Sequence, residues 1–282
     1  MNKEISLVMA TVGRLEEPEL FIQSLLKSQF DLATVELIIV DQNETDALQE
    51  RLIPYHERLT IQYIRLATRG LSLARNQGLA LCSGRIVGFP DDDCEYDPQT
   101  LRNVVAAFAQ YDKASAIIGA VKTADGAASI RQWPTEPIQL HTMNFYTKFS
   151  SVGLFVKREV NSEQFFCEQL GAGAHFGAAE DADYIYQMLK AQKAVFFVPS
   201  ITVYHPPGAP DAAAKAFSYG LGFGGFCRKN WSLPIFGLFT AALCYHSLRF
   251  LQALVSGDSV KRTYSRLCIT SRWIGLWTWR RR

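Results

Sequence analysis

Two rhythms alternate along the first hundred residues. Ile5–Ala10, Val35–Val40, Ile61–Leu66 and Ile86–Pro90 are near-continuous apolar runs, the signature of strands buried on both faces of a parallel sheet. Between them, Pro18–Lys27 and Leu71–Leu81 place apolar residues at helical spacing, and Gly84 stands where the second of these helices should stop. The pattern predicts β-α units around a mostly parallel sheet flanked by helices, an α/β fold. Further on, a helix is expected from Pro98 to Tyr111, a strand over Ala116–Val121, a strand at Gly153–Lys157, a helix over Asp181–Ala191 and a strand at Val195–Pro199. The stretch Thr123–Lys148, rich in Pro, Gly and aromatics, reads as an irregular acceptor loop. There is no internal repeat and no low-complexity segment.

Composition narrows the class. Of 282 residues, 48% are hydrophobic, enough for one large α/β domain with an appendage and too many for a disordered chain. Six cysteines are scattered with no CxxC pair, which points away from a disulfide framework or zinc site and toward a reducing, cytoplasmic setting. The start, MNKE followed by a short apolar run, has no secretory-signal pattern. Charge is divided unevenly: from Arg228 onward ten Lys/Arg face the single acid Asp258, a balance of +9, so a whole-chain charge of +2 leaves the remainder at −7. An acidic catalytic body over 1–227 and a basic, aromatic helical segment over 228–282 are the expected domains. Anionic lipid headgroups or a phosphate-bearing acceptor are the expected partners of the tail, and nucleic acid is not.

Doubly wound sheets bind ligands at the carboxyl ends of their strands, which directs attention to Thr11-Val12-Gly13-Arg14, Asp41-Gln42-Asn43 and Asp91-Asp92-Asp93. In GFPDDDCEYDP an apolar strand runs directly into three carboxylates. Such crowding is tolerable around a hard divalent cation, Mg²⁺ or Mn²⁺. The competing reading is a solvated turn ahead of a helix capped by Asp97-Pro98. Glu180, Asp181 and Asp183 open an amphipathic helix, where acids also serve as plain complements to the helix dipole. His205 closes an apolar run ahead of two prolines, either as a structural residue or as an imidazole that completes a metal shell. Arg75 and Asp41 have bland readings too, as a solvated helix residue and a turn former.

Taken in order, ATVGR, VDQN, RGLSLARNQGLALCSG, PDDD, FCEQLGAGAHFGAAEDADYIYQML and VYHPPG resemble the family-two glycosyltransferases of GT-A fold over nearly the first 230 residues. The resemblance implies a Rossmann-like GT-A sheet and an inverting transfer from a nucleotide-sugar donor. It implies a DxD element, here Asp91 and Asp93, that holds Mn²⁺ or Mg²⁺ on the donor diphosphate, with His205 joining the metal shell. Thr11 and Asp41 would line the nucleobase site, with Arg14, Arg75, Asn76 and Asp92 near the donor. Asp181 would be the general base and Glu180 would orient a saccharide or lipid-linked acceptor. Two departures concern the acceptor side: Cys167 replaces a frequent aspartate, and Ala179 a common glycine before the Glu-Asp pair.

A nucleotidyltransferase would carry a Gly- and Lys-rich phosphate loop after the first strand, whereas ATVGRLEEPE is acidic with one glycine. A catalytically inactive sugar-nucleotide or membrane-binding protein should have lost an acidic element, and none is missing. The run YGLGFGGFCRKN lacks a preceding strand and reads as close packing or a mobile lid rather than a dinucleotide fingerprint. Leu233 to Leu248 is apolar except for His246, and Arg249 and Gln252 then interrupt it, which makes the run short for a membrane span. RWIGLWTWRRR sets three tryptophans beside three arginines, the chemistry of peripheral attachment to a membrane interface. The competing reading is a helical pair packed on protein. The expectation is thus a cytoplasmic enzyme, peripheral on the membrane, serving surface polysaccharide or glycolipid assembly.

Overall fold

In the computed structural model, which describes residues 3–129, 131–161, 165–207 and 212–280, the β-α alternation begins at once. The order is β1 (Ile5–Thr11), α1 (Glu16–Leu25), β2 (Val35–Asp41), α2 (Ala47–Leu52), β3 (Thr60–Arg65), α3 (Leu71–Leu79), β4 (Ile86–Gly88), β5 (Glu95–Tyr96) and α4 (Thr100–Gln110). There follow β6 (Ala114–Lys122), β7 (Ile138–Leu140), β8 (Leu154–Lys157), α5 (Arg158–Asn161), α6 (Glu180–Lys190) and β9 (Ala194–Tyr204). Three helices end the described chain: α7 (Ala212–Lys229), α8 (Leu233–Val255) and α9 (Ser259–Thr278). The chain divides into two compact units, one of Met1–Arg69, Leu73–Phe165 and Ile185–Gly208, the other of Gly70–Ser72, Phe166–Tyr184 and Ala209–Arg282.

The first unit contains the whole sheet, ordered β3-β2-β1-β4-β8-β6-β9-β5, with β7 against β9. β1 to β4 pair parallel with one another, while β8 runs antiparallel to both β4 and β6. β1 and β2 are buried almost throughout because helices cover both faces of a parallel sheet. A hydrophobic cluster including Leu7, Met9, Phe21, Leu37, Ile39, Leu101 and Phe155 fills one side. At the end of the sheet away from the loops that follow β1 and β2, Glu36 is buried and accepts from the Ser6 hydroxyl (2.5 Å), the Ser83 amide (2.7 Å) and Gln62 (3.0 Å). Burial alone would push its carboxyl up, but those hydrogen bonds outweigh it and hold Glu36 below the ordinary carboxylate value.

Two elements differ from expectation for local reasons. β9 does not stop at Pro199 but runs on to Tyr204. Proline has no N–H to give the ladder, and β6 and β9 accommodate it with a register shift between the Ile118–Phe197 and Ala120–Thr202 pairs. The Thr123–Lys148 stretch is tied down rather than loose. It contributes β7, and Trp133 donates to the Val121 carbonyl (2.7 Å) and stacks on Phe197.

The second unit gathers α7, α8, α9 and the loop ahead of α6. Helices α7 and α9 approach so closely that side chains would not fit. A Cβ on Gly220 would strike the Ser271 hydroxyl, one on Gly224 the Arg272 carbonyl, and one on Gly275 the Leu221 carbonyl. The glycine run therefore belongs to a packed helix, as the close-packing alternative required. α8 continues past Arg249, a good helix former, whose guanidinium bonds to the Tyr245 hydroxyl (3.0 Å) and lies over its ring. With 23 residues and a mean hydropathy of 1.3, α8 is long and apolar enough to cross a membrane by length and composition.

Candidate active site

Three chain segments leave the sheet side by side at the carboxyl ends of β1, β2 and β4. After β1 the backbone turns through Gly13 at φ 74°, a left-handed conformation that favours glycine. The Gly13 amide donates to Asn43 Oδ1 (2.5 Å), and the Asn43 amide donates back to the Arg14 carbonyl (3.2 Å), which stitches the first two loops together.

The acidic triplet follows β4, and Asp91 forms a bridge with Ala10 of β1. Beyond that bridge the chain turns, with the Cys94 amide donating to the Asp91 carbonyl (3.3 Å), and within the turn the three carboxylates take different sets of partners. Asp92 is buried, accepting from the Thr11 hydroxyl (2.7 Å) and from Arg14 (2.6 Å). Burial pushes its carboxyl up to about 6 against the pull of those two donors. Asp91 and Asp93 approach His205 at the end of β9, and one ligating atom from each of the three lies within 4.8 Å of the others. Asp91 is paired with the fully buried Arg75 (2.9 Å), and Asp93 with Arg14 (2.7 Å) and His205 Nε2 (3.2 Å). The hydrogen bond from His205, with Arg14 beside it, holds the Asp93 carboxyl down at about 2, and His205 is raised in return.

The histidine is oriented by its other nitrogen. His205 Nδ1 lies 2.7 Å from the Pro206 carbonyl, which holds a proton on Nδ1, so that Nε2 would offer its lone pair to a cation in place of the proton it shares with Asp93. That is the arrangement in which a carbonyl fixes the tautomer of a metal-binding imidazole. Two hard carboxylate oxygens and one imidazole nitrogen suit Mn²⁺ or Mg²⁺ completed by oxygens of a substrate.

Asp41 is fully buried at the end of β2; Oδ1 accepts from the Asn43 amide (2.8 Å) and Oδ2 from the Tyr63 hydroxyl (2.7 Å). Beside it an open pocket of about 720 Å³ is lined by Gln42, Asn43, Glu44, Arg65, Ala67 and Arg69, a volume that suits a small organic ligand. Asn76 sits half-buried on α3, one position after Arg75. The role of Tyr63 escaped the sequence reading because nothing local pairs position 41 with 63. That contact arises from the β2–β3 register, which sets Asp41 opposite Arg65.

Glu180 and Asp181 belong to the second unit, in the first turn of α6. Ala179 before them adopts φ 71°, a conformation easy for glycine and costly for alanine, which accounts for the glycine that the resemblance leads one to expect there. Glu180 is buried, and a Cβ on Gly171 would come 3.1 Å from its Oε2. Asp181 Oδ1 accepts from the Ala182 amide (2.7 Å) and the residue is half-buried. Asp183, by contrast, is a structural ion pair: its buried carboxylate meets Lys229 (2.6 Å) and Asn230 (2.7 Å) at the end of α7.

A mixed sheet with helices on its faces, acidic and basic side chains converging past β1, β2 and β4, and a histidine closing the group define a GT-A type α/β protein. The model of the family Glycosyl transferase family 2 matches residues 6–159, more than half of the chain, and the chain belongs to that family. A validoxylamine A glucosyltransferase from Streptomyces hygroscopicus subsp. jinggangensis is 27% identical over 117 residues, covering 41% of this chain and 28% of that protein. The matched segment thus spans little more than a quarter of that relative. Among solved structures, a mannosyltransferase from Pyrobaculum calidifontis in complex with GDP-Man and Mn²⁺ superposes with a TM-score of 0.68 at 14% identity, over 99% of this chain and 88% of that one. Residues 1–349 of TarS from S. aureus in complex with UDP give a TM-score of 0.61 at 16% identity, over 96% and 91%. At such identities these structures attest the fold.

Proposed function

We propose that this chain is an inverting, metal-dependent glycosyltransferase that moves a sugar from a nucleoside-diphosphate donor to an acceptor hydroxyl. The observation that carries the reading is the convergence of Asp91, Asp93 and His205 past β4 and β9, at the same carboxyl edge of the sheet as the open pocket past β2 and β3. The presence of GDP-Man with Mn²⁺ in one neighbour of the same fold, and of UDP in another, is consistent with it.

On this reading Asp91, Asp93 and His205 hold the cation, which supplies Lewis-acid stabilisation to the departing diphosphate. Arg14, Arg75 and Asp92 keep that carboxylate cluster in register, Thr11 and Asp41 border the nucleobase pocket, and Asn76 faces the donor. Asp181 takes the proton of the acceptor hydroxyl as its oxygen bonds to the anomeric carbon. The carbon–oxygen bond to the diphosphate breaks on the opposite side, its electron pair leaving with the phosphate, so the configuration inverts. Glu180 orients the acceptor. Every residue assigned a role lies before Arg228, leaving 228–282 as the segment that holds the enzyme peripherally at the cytoplasmic face of a membrane. There a lipid-linked saccharide of surface polysaccharide or glycolipid assembly would be within reach.

Asp181→Asn tests the assignment. The amide cannot accept the proton, so donor binding should persist while transfer falls by about a hundredfold or more. Turnover equal to that of the wild type would remove Asp181 from the mechanism.

A further inference from the structure

The second unit presents a face on α8 that nothing within the described residues covers. Leu233, Phe236, Leu248, Leu251, Leu254 and Val255 are all exposed, Val255 at 92% and Leu233 at 84%. They recur on one side of the helix, and the residues between them on that side, such as Thr240, Cys244 and Ser247, are small and uncharged. The opposite side, Ile235, Phe239, His246 and Ala253, is buried. It lies along α9, with Phe239 against Trp273 (5.3 Å) and His246 near Tyr264 (6.2 Å), so the two helices run antiparallel about the turn at Gly257.

We infer that α8 lies flat in the interface of an anionic bilayer, its uncharged face down, rather than crossing it. This deepens the membrane reading above and rests on it. The packing supplies the first argument. An α8 that spanned while keeping its partner would draw α9 in alongside, and α9 carries Lys261, Arg262, Arg266 and Arg272; cations within the hydrocarbon are heavily penalised. Breaking α9 away is no easier, because it is locked against α7 through Gly220, Gly224 and Gly275. Lying flat costs none of this, since the apolar face is buried while the cations stay at the headgroups. The surrounding side chains supply the second argument. Trp273, Ile274 and Trp277 are exposed toward the end of α9, where amphipathic rings favour the headgroup level. The +9 balance from Arg228 onward, with Asp258 its lone acid, complements anionic and not zwitterionic lipid.

Cys244 offers a natural probe, since it is exposed in the middle of the face while Cys82, Cys94, Cys227 and Cys268 are buried and Cys167 is half-buried. The full chain is labelled with an environment-sensitive fluorophore at Cys244 and, in a Cys244→Ser background, at Phe236→Cys or Leu251→Cys. Vesicles of phosphatidylcholine alone or mixed with phosphatidylglycerol carry quenchers at known depths. The proposal predicts binding more than about tenfold tighter to the anionic mixture, with all three labels at one shallow depth, about 5–10 Å below the headgroups. A label at Cys244 that lies about 10 Å deeper than the other two would establish a spanning helix and overturn the in-plane geometry. Equal affinity for both vesicles would overturn the choice of anionic lipid. No binding to either, with the labels remaining in water, would overturn the membrane reading itself and turn attention to a second copy of the chain, visible by sedimentation. Donor binding, measured separately in solution, keeps a failure here distinct from a failure of the catalytic reading.

Discussion

Gly224 and Gly237 are both helix-interior glycines, yet the same substitution should move the stability of the protein in opposite directions. Replacing an interior glycine by alanine in an unobstructed helix contributes about 1 kcal/mol, because the unfolded chain has less freedom to lose. Gly237 on α8 is such a site, with nothing within 4 Å of the added Cβ. At Gly224 on α7 the added carbon would strike the Arg272 carbonyl oxygen and come 2.7 Å from the Leu276 nitrogen and 3.0 Å from the Gly275 carbonyl carbon, against about 3.5–4.0 Å for an ordinary contact. All three are backbone atoms of α9, so no side chain can rotate away and a whole helix must shift. Overpacking of that kind costs about 1–3 kcal/mol, which exceeds the propensity gain. Gly237→Ala should therefore stabilise by about 1 kcal/mol and Gly224→Ala destabilise by up to about 2 kcal/mol. For a chain of this size that separates the two melting temperatures by about 2–12 °C, with Gly237→Ala the higher. Thermal unfolding followed by far-ultraviolet circular dichroism in one buffer reads both. A Gly224→Ala protein that melts as high as Gly237→Ala would refute the account of how α7 and α9 pack.

Three further outcomes follow from single sites. Ala179→Val should lower the melting temperature by several degrees and Ala179→Gly should raise it slightly, since a β-branched residue at φ 71° adds about 1–2 kcal/mol of strain that glycine relieves; the reverse order would show that the left-handed conformation is not retained. Glu36→Gln should cost about 2 kcal/mol at neutral pH, given its charge-assisted bonds. Because the folded-state carboxyl titrates below its unfolded value, that contribution is present above about pH 4.3 and is lost as pH falls through the folded value. Urea titrations should thus show the gap to the wild type closing in acid, and a gap independent of pH would contradict the assignment. Asp183→Ala should destabilise by about 3 kcal/mol, since it leaves Lys229 without its carboxylate, and a near-neutral effect in a urea melt would refute the structural role of that pair.

The first half of the fold is legible in the sequence because its strands are buried on both faces and so write uninterrupted apolar runs. β5 and β7, with two and three residues, are too short to leave any periodicity, and β9 is disguised by a proline that the sheet absorbs with a register shift. The tail shows the same limit differently. Arg249 interrupts the apolar run in the sequence, but arginine is a good helix former and α8 continues through it. At the site, Asp91, Asp93 and His205 are legible as separate signals on segments 112 residues apart, and their meeting depends on β9 joining the sheet. What no local pattern could supply is the division of labour within the triplet, in which Asp92 takes the Thr11 hydroxyl and shares Arg14 with Asp93, while Asp91 and Asp93 meet His205. Nor could it separate Asp183, an ion pair with Lys229, from Glu180 and Asp181 in the same helical turn. Arg281 and Arg282, part of the expected aromatic-basic end, lie outside the described residues.

The central claim, a donor site assembled on a divalent cation, is tested most directly by calorimetric titration of UDP, dTDP and GDP, with and without Mn²⁺, into the wild type and Asp93→Ala. The account predicts that one nucleotide binds in a Mn²⁺-dependent manner and that Asp93→Ala loses this dependence while remaining folded. Failure of all three to bind folded wild-type protein, or Mn²⁺-dependent binding that survives in Asp93→Ala, would contradict it.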